Sequence, residues 1–396
     1  MPNGDEDRIG HQTFKWLLRL TSKSRACQRQ PSVLAEAVTQ QPSVGSTPLT
    51  ANIVTNAAEI CELTAFVTGL VPEPGMLAPR FFLASLLPRH CRPCVVVVSQ
   101  GRRVAGLLYA GERLVAGIPV GIVLGDDTLD TMVVARQEEM ESVMRCAVQT
   151  LLKHKAALRF RVPPQRLAFL QAESAKADAG NHFYPEVRHA HLELPRTYDE
   201  FLAKVRRPTR HNLYRYRRRS ELVGNEFWPD QPFTDFCAAA RRLFPKAARP
   251  PAKSRFEQSL AMIEATRSRL LIGLRRRGGD WISLAGGWCD GDRAFLVSQL
   301  NDRTCGRESV SLVLRSYLIE QLINRGIREL VFWNGTLAPL NLYTAHREEV
   351  MVYIDSRSFP WRLVHQACIS LAKFAPVTFG TWLRWEAPNA NGNLSA

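Results

Sequence analysis

Two stretches of this chain run through the same order of elements: strand, hairpin, strand, hairpin, strand, long helix, strand. That repeated order constrains the fold more than any other feature. In the first stretch, residues 95–99 are a continuous β-branched run, Gly101-Arg102 marks a turn, and 104–109 and 112–116 read as strands around Ala110-Gly111. Residues 136–155 then place Met140, Val143, Met144, Ala147, Val148, Leu151 and Leu152 on one helical face, and 158–162 is a strand closed by Pro163-Pro164. In the second stretch, 270–274, 281–288 and 294–300 are strands separated by Gly278-Gly279-Asp280 and Asp290-Gly291-Asp292. A helix over 309–324 ends at Arg325-Gly326, and 329–333 is the last strand. The first strands begin 175 residues apart and the last strands 171 apart. Identity between the stretches is low, so the duplication rests on order and spacing; the competing reading is a coincidence of common supersecondary units. Alternating strands and helices of this kind predict an α/β fold with a mixed central sheet in each half, flanked by helices.

The chain has 396 residues, room for two or three domains. Residues 1–50 read as a tail rich in Ser, Thr, Gln and Pro, with a short amphipathic segment at 14–20 that reads as docked on the main body. The expected domains are 51–195 and 196–376, followed by a C-terminal tail at 377–396. The longest oily segment, 114–124, has 11 residues, about half of what a spanning helix needs, and the acidic start (Asp5, Glu6, Asp7) does not resemble a signal peptide. The expected location is the cytoplasm, with a peripheral place at the inner membrane open.

Charge narrows the partners. With 52 Lys+Arg against 37 Asp+Glu, the net charge is +15, a field that favours an anionic partner. Arg206, Arg207, Arg210, Arg215, Arg217, Arg218 and Arg219 fall within 14 residues, after Lys204 and around His211. Pro208 suits a helix start, Leu213, Tyr216 and Val223 make an apolar seam, and Gly224 is a stop. Arginine is the better bidentate phosphate ligand. Arg206, Arg207, Arg210 and Arg217 are therefore the candidate anion-binding residues, against the alternative of a merely solvated face. Cys91 and Cys94 form a lone C-x-x-C. No second ligand pair accompanies it, so no metal site is expected, and two small apolar fillers is the preferred reading over a redox dithiol. The signatures of P-loop NTPases, of Gly-x-Ser-x-Gly hydrolases and of His-Glu-x-x-His proteases do not occur.

The second stretch resembles the GNAT acyltransferases, and the whole chain resembles their tandem form, with two GNAT-like domains. The cellulose-biosynthesis-associated branch is similar in its Arg-rich helix, here residues 206–219, and in a helix leading through glycine to an apolar strand, here residues 320–332. The family's pyrophosphate loop, Gln/Arg-x-x-Gly-x-Gly/Ala, is matched at Arg303 and Gly306 and departs at Glu308. The resemblance implies acetyl-CoA or another acyl-CoA as co-substrate, held by Leu300, Arg303, Gly306, Arg307, Ser309 and Val310. A turn of free amides at a helix start is a natural seat for a pyrophosphate.

Acyl transfer to an amine needs a proton acceptor, stabilisation of the thioester oxygen and protonation of the departing thiolate. Asn334 and Tyr343 are the candidate catalytic residues near the split between strands 294–300 and 329–333, with His346, Cys305 and Glu308 as further neighbours. The expected function is an acyl-CoA-dependent N-acyltransferase acting on an amine-bearing small molecule or sugar, in polysaccharide or cell-envelope biosynthesis, with a degenerate first domain. The alternatives are a Fem-type aminoacyl-tRNA-dependent transferase, in which the basic helix holds tRNA, and a non-catalytic pseudo-acyltransferase with anionic partners. No specific DNA binding is expected.

Overall fold

The computed structural model describes residues 48–355, apart from 72–74, 87–90, 116, 126–132, 187–188, 246, 249, 334, 337 and 348. The expected segment at 14–20, nearly all of the expected N-terminal tail and the tail at 377–396 lie outside the described residues.

The first half contains β1 (Leu49–Val54), α1 (Ala57–Glu62), α2 (Thr64–Leu70), α3 (Pro79–Ser85), β2 (Cys91–Pro93), β3 (Val95–Gln100), β4 (Arg103–Leu108), β5 (Gly111–Val115), β6 (Ile118–Leu124), β7 (Val133–Ala135), α4 (Met140–His154), β8 (Ala157–Val162), α5 (Leu167–Lys176) and β9 (Gly180–Glu186). The second half contains β10 (Ala190–Glu193), α6 (Tyr198–Lys204), α7 (Arg207–Leu222), β11 (Asn225–Trp228), α8 (Phe233–Leu243), α9 (Pro250–Ala265), β12 (Arg269–Arg276), β13 (Trp281–Asp290), β14 (Arg293–Asn301), α10 (Val310–Asn324), β15 (Glu329–Phe332) and β16 (Glu349–Asp355). The fold is α/β, with mixed sheets flanked by helices in both halves.

Three sheets carry the architecture: β1-β3-β4-β7, β2-β5-β6-β8-β16-β9 and β10-β15-β14-β13-β12-β11. The expected element order holds, with β6 and β7 added before the first-half helix and one correction. The strand of the first half that lies parallel to the strand after the long helix is β6, not the expected 112–116: Ile122 stands opposite Ala157 and Leu124 opposite Arg159. Residues 111–115 form the antiparallel partner of β6. This oily stretch contains Gly117, Pro119 and Gly121, which an antiparallel hairpin tolerates at its turn and its irregular register.

The halves also exchange strands. β10, expected with the first domain, pairs with β15, and β16, expected with the second, lies between β8 and β9. The periodicity of a strand shows which face it buries but not which sheet receives it.

Each half buries one long helix. α4 turns Val143, Ala147, Val148 and Leu151 onto Val96, Val98, Ala105 and Leu108, the stripe its spacing predicts. Each buried valine or leucine among them contributes about 1.5–3 kcal/mol relative to exposure. α10 is apolar nearly all round, with Val313, Leu314, Leu318, Ile319, Leu322 and Ile323 buried, because the sheet covers one side and α7 the other.

Candidate functional site

β14 and β15 run parallel, but only Arg293–Leu296 stand opposite Glu329–Phe332. The Trp333 amide donates to the Leu296 carbonyl at 3.0 Å, closing the pair. β14 continues to Asn301 on β13 alone, so the two strands part beyond Leu296. A bulge marks the same place. Gly287 pairs with Leu296 and Gly286 with Ser298, leaving Val297 as the extra residue. A bulge bends the strand and re-aims its backbone groups. The local sequence allows it because both partners are glycines: a Cβ on Gly287 would stand 1.7 Å from the Phe295 carbonyl oxygen, and one on Gly286 would stand 2.7 Å from the Phe236 ring. Aromatic rings back the closed end, with Trp288 against Phe81, Phe295 and Trp333 at centroid distances of 5.0, 5.6 and 5.7 Å.

From the open end the chain passes directly into a tight loop. The Asp302 carboxylate accepts from the Thr304 amide at 2.9 Å and its hydroxyl at 2.7 Å, and these bonds hold it below the usual carboxylate range. Arg303–Glu308 form a 3-10 turn, Ser309 takes the left-handed conformation at φ 51°, and α10 begins at Val310. The amides of Leu312 and Val313 both turn back to the Ser309 carbonyl, and the first turn carries no acid. A helix start of this kind presents amides and a positive dipole end to an anion. The six expected donor-binding residues thus lie together: Leu300 on the parted edge opposite Leu284, Arg303, Gly306 and Arg307 in the turn, Ser309 and Val310 at the helix start. Glu308, the departure from the family loop, pairs with Arg276 of β12 at 3.3 Å. Arg303 is exposed, and Cys305 is buried within reach of the Arg276 guanidinium at 3.5 Å.

Of the two candidate catalytic residues, Asn334 lies outside the described residues. Tyr343 closes a turn over Leu340–Tyr343, donates to the Thr209 hydroxyl at 3.0 Å and accepts from the Arg206 amide at 3.0 Å. It ties this turn to the start of α7. His346 places Nδ1 2.9 Å from the His189 carbonyl.

The arginines of α7 divide into two groups. Arg217 is committed inward. It donates to Glu320 at 2.6 Å, and its guanidinium lies 3.9 Å from the Tyr317 ring centroid. Burial would lower its pKa, but the bond and charge of Glu320 together with Tyr317 outweigh that and hold it above the ordinary arginine value. Arg210 is half-buried and donates to the Val205 carbonyl at 3.3 Å. Arg206, Arg207, Arg215, Arg218 and Arg219 are exposed. The pattern of charge did not separate these groups, since it records the arginines and not their partners. In the C-x-x-C, Cys94 is buried and burial pushes its thiol up to about 11, the direction opposite to a reactive thiolate.

A polar group that the sequence reading missed sits between the parted strands. Arg315 of α10 donates from Nε to Gln299 Oε1 at 2.7 Å and from Nη1 to Thr336 Oγ1 at 2.6 Å. Gln299 in turn donates to the Ser311 carbonyl at 3.2 Å and hydroxyl at 3.0 Å. Ser311 and Arg315 are four residues apart, hence on one helix face. The available signal was an arginine set among Val313, Leu314, Leu318 and Ile319, all of which are buried. Among the described residues no group of three or more metal-ligating side chains occurs, and no helix is long and apolar enough to cross a membrane.

Comparisons with known proteins meet this geometry. Residues 207–338, a third of the chain, match the acetyltransferase (GNAT) domain family. Among solved structures, the chain is similar to a protein of unknown function from Bacteroides thetaiotaomicron, with a TM-score of 0.51 and 13% identity over 76% of this chain and 99% of that one. It is similar to FemX at a TM-score of 0.50 and 12% identity, over 76% of this chain and 96% of the other. A tandem GNAT protein from the clavulanic acid biosynthesis pathway aligns over 78% of this chain and 99% of its own, at 15% identity and a TM-score of 0.43. No curated protein sequence matches the chain. Residues 207–338 thus match a GNAT acetyltransferase domain, and the chain shares its α/β fold with FemX and the Bacteroides protein.

Proposed function

We propose that the chain is an acyl-CoA-dependent N-acyltransferase whose second half holds the donor. One observation carries this reading: at a single place, a parallel strand pair parts, a bulge re-aims the backbone of β14, and the chain turns into a helix start with no acid in its first turn. The pyrophosphate would sit on the amides at Arg303–Val310, with Arg303 and Arg307 supplying positive charge. The thioester would lie along Leu300, where a backbone amide of the parted edge can stabilise the oxygen as charge develops during attack by the amine. The thioester C–S bond breaks as the amide bond forms, and the proton lost by the amine ends on the released thiol. Acetyl-CoA is the first donor to test. The acceptor is an amine-bearing small molecule or sugar, and the likeness of the Arg-rich helix to the cellulose-biosynthesis-associated branch favours a cell-envelope polysaccharide. We assign the working halves to 51–195 and 196–376, with β10 and β16 exchanged, and give the first the role of shaping the acceptor cleft.

Thermal-shift titration tests this reading, because a ligand that binds only the folded state raises the unfolding midpoint. CoA and acetyl-CoA are expected to raise it and ATP is not. The double variant Arg303→Ala, Arg307→Ala should lose the response. An equal rise with ATP, or an unchanged response in the double variant, removes the donor site from this loop.

A second reading has its own support. The likeness to FemX spans 96% of that chain, and α7 with its capping residue Arg206 exposes five arginines. An aminoacyl-tRNA-dependent transferase would bind tRNA with an affinity that falls steeply with salt, as neutralised phosphates release counterions. Absent or salt-independent binding counts against it.

A further inference from the structure

Among the described residues, no opposite charge balances Arg315. Its two bonded partners, Gln299 and Thr336, are neutral, and among the described residues no carboxylate pairs with it. One face of the guanidinium lies 5.3 Å from the Phe332 ring centroid. Arg315 is half-buried, and desolvation is what lowers its pKa. Buried charges are normally paired, because the desolvation cost of an isolated one is large. Here the cation stands where the strands have parted. Gln299 is three residues past the last paired residue of β14, and Thr336 is four past that of β15. With Nε and Nη1 engaged, the fork is fixed in orientation and Nη2 has no partner among the described residues. A planar, oriented guanidinium is matched to a carboxylate. The loop that would seat a pyrophosphate ends at Val310, five residues and about 7.5 Å up the helix axis from Arg315, so the two anion sites are separate.

We propose that Arg315 is the receptor for a carboxylate on the substrate that enters the opening between β14 and β15, carried either by the acyl group of the donor or by the amine acceptor. This rests on the acyl-CoA reading above. It makes Arg315 a specificity-determining residue and Gln299 and Thr336 its positioning partners.

Calorimetric titration of the full chain separates the two sources. In the first arm the protein meets acetyl-CoA and succinyl-CoA. In the second, the CoA-saturated protein meets glycine and glycinamide, the smallest amines with and without a carboxylate. A carboxylate on the donor makes succinyl-CoA bind at least about tenfold tighter than acetyl-CoA, the scale of one charge-assisted hydrogen bond. A carboxylate on the acceptor makes the two CoA esters equal and glycine bind tighter than glycinamide by a similar factor. In either case Arg315→Gln erases the preference and leaves acetyl-CoA binding within about twofold, whereas a residue that only braces the two strands would weaken every ligand alike. Absence of any carboxylate preference in the wild-type protein overturns the proposal even if the variant does not fold, and so does a preference that survives in a folded Arg315→Gln. If acetyl-CoA binds and no preference appears, only the role of Arg315 falls. If neither CoA ester binds, the acyl-CoA reading falls and takes this proposal with it.

Discussion

The same parallel pair occurs twice in this chain, and among the described residues only in the second-half copy does the first of the two strands run on past its partner. In the second half, β14 runs five residues beyond its last partner on β15, and the helix that follows begins with Val310-Ser311-Leu312. In the first half, β6 ends at Leu124, at the end of its pairing with β8, so among the described residues it has no length beyond its partner. The opposite side of β8 is taken by β16. The first-half helix starts behind Glu138 and Glu139 and carries Glu141 in its first turn. Three carboxylates at the positive end of a helix dipole occupy the electrostatic niche that an anion would need. A shared topology therefore does not make two sites. On the reading proposed above, the length of one strand past its partner and the charge of one helix start are what distinguish the half that takes an anionic ligand.

The largest effect is expected at the bulge. Gly287→Ala drives a Cβ into the Phe295 carbonyl, where only backbone movement can relieve it. We expect a loss of about 3 kcal/mol or more by chemical denaturation, together with loss of any acetyl-CoA response. A variant that keeps both would show that the parted edge does not depend on the bulge.

The matching lesion in the first half should separate stability from binding. Glu112 is 2% exposed and accepts from Arg92 at 2.7 and 2.9 Å, from Lys155 at 3.0 Å and from the Gly121 amide at 3.2 Å. Glu112→Gln places an amide donor among these donors and should cost roughly 3 kcal/mol, while the acetyl-CoA affinity of the folded protein stays within about twofold, a factor of about 0.4 kcal/mol. A large change in affinity would assign the first half a direct part in donor binding.

A smaller, pH-dependent effect belongs to the second half. Burial holds His191 below the ordinary histidine range, despite Glu329 at 3.1 Å. Burial would raise Glu329, but Arg347, His191 and Arg293 outweigh it and hold its carboxyl low. Both groups take up protons more readily when unfolded. The stability due to His191 is therefore complete above about pH 6.5 and is lost as the pH falls below it, and that due to Glu329 is lost further down, below about pH 4.3. The unfolding midpoint should fall through the first of these windows, and His191→Phe should flatten that step. An unchanged profile in the variant would place the sensitivity elsewhere.

Much of the fold was legible because it is local. The stripe on α4 and the hairpins around β12, β13 and β14 follow from period and turn chemistry over short spans. β6 was not, because two glycines and Pro119 masked a strand whose place is fixed by β8, more than thirty residues away in sequence. The exchange of β10 and β16 is a non-local pairing that no periodicity encodes. The loop proposed for the donor could be placed between its strand and helix from Arg303 and Gly306, since a short motif there keeps its neighbours together in space. Arg315 was hidden by the helix that carries it, and the inward turn of Arg217 by the six arginines around it.

The central claim is that the second half alone binds an acyl-CoA, along β14 and at the start of α10. Amide hydrogen exchange with and without acetyl-CoA tests it most directly. Protection confined to 297–313, with none at the corresponding helix start over 136–145, is the result expected. Protection of the first-half helix start, or none at 297–313 at saturating ligand, would contradict it.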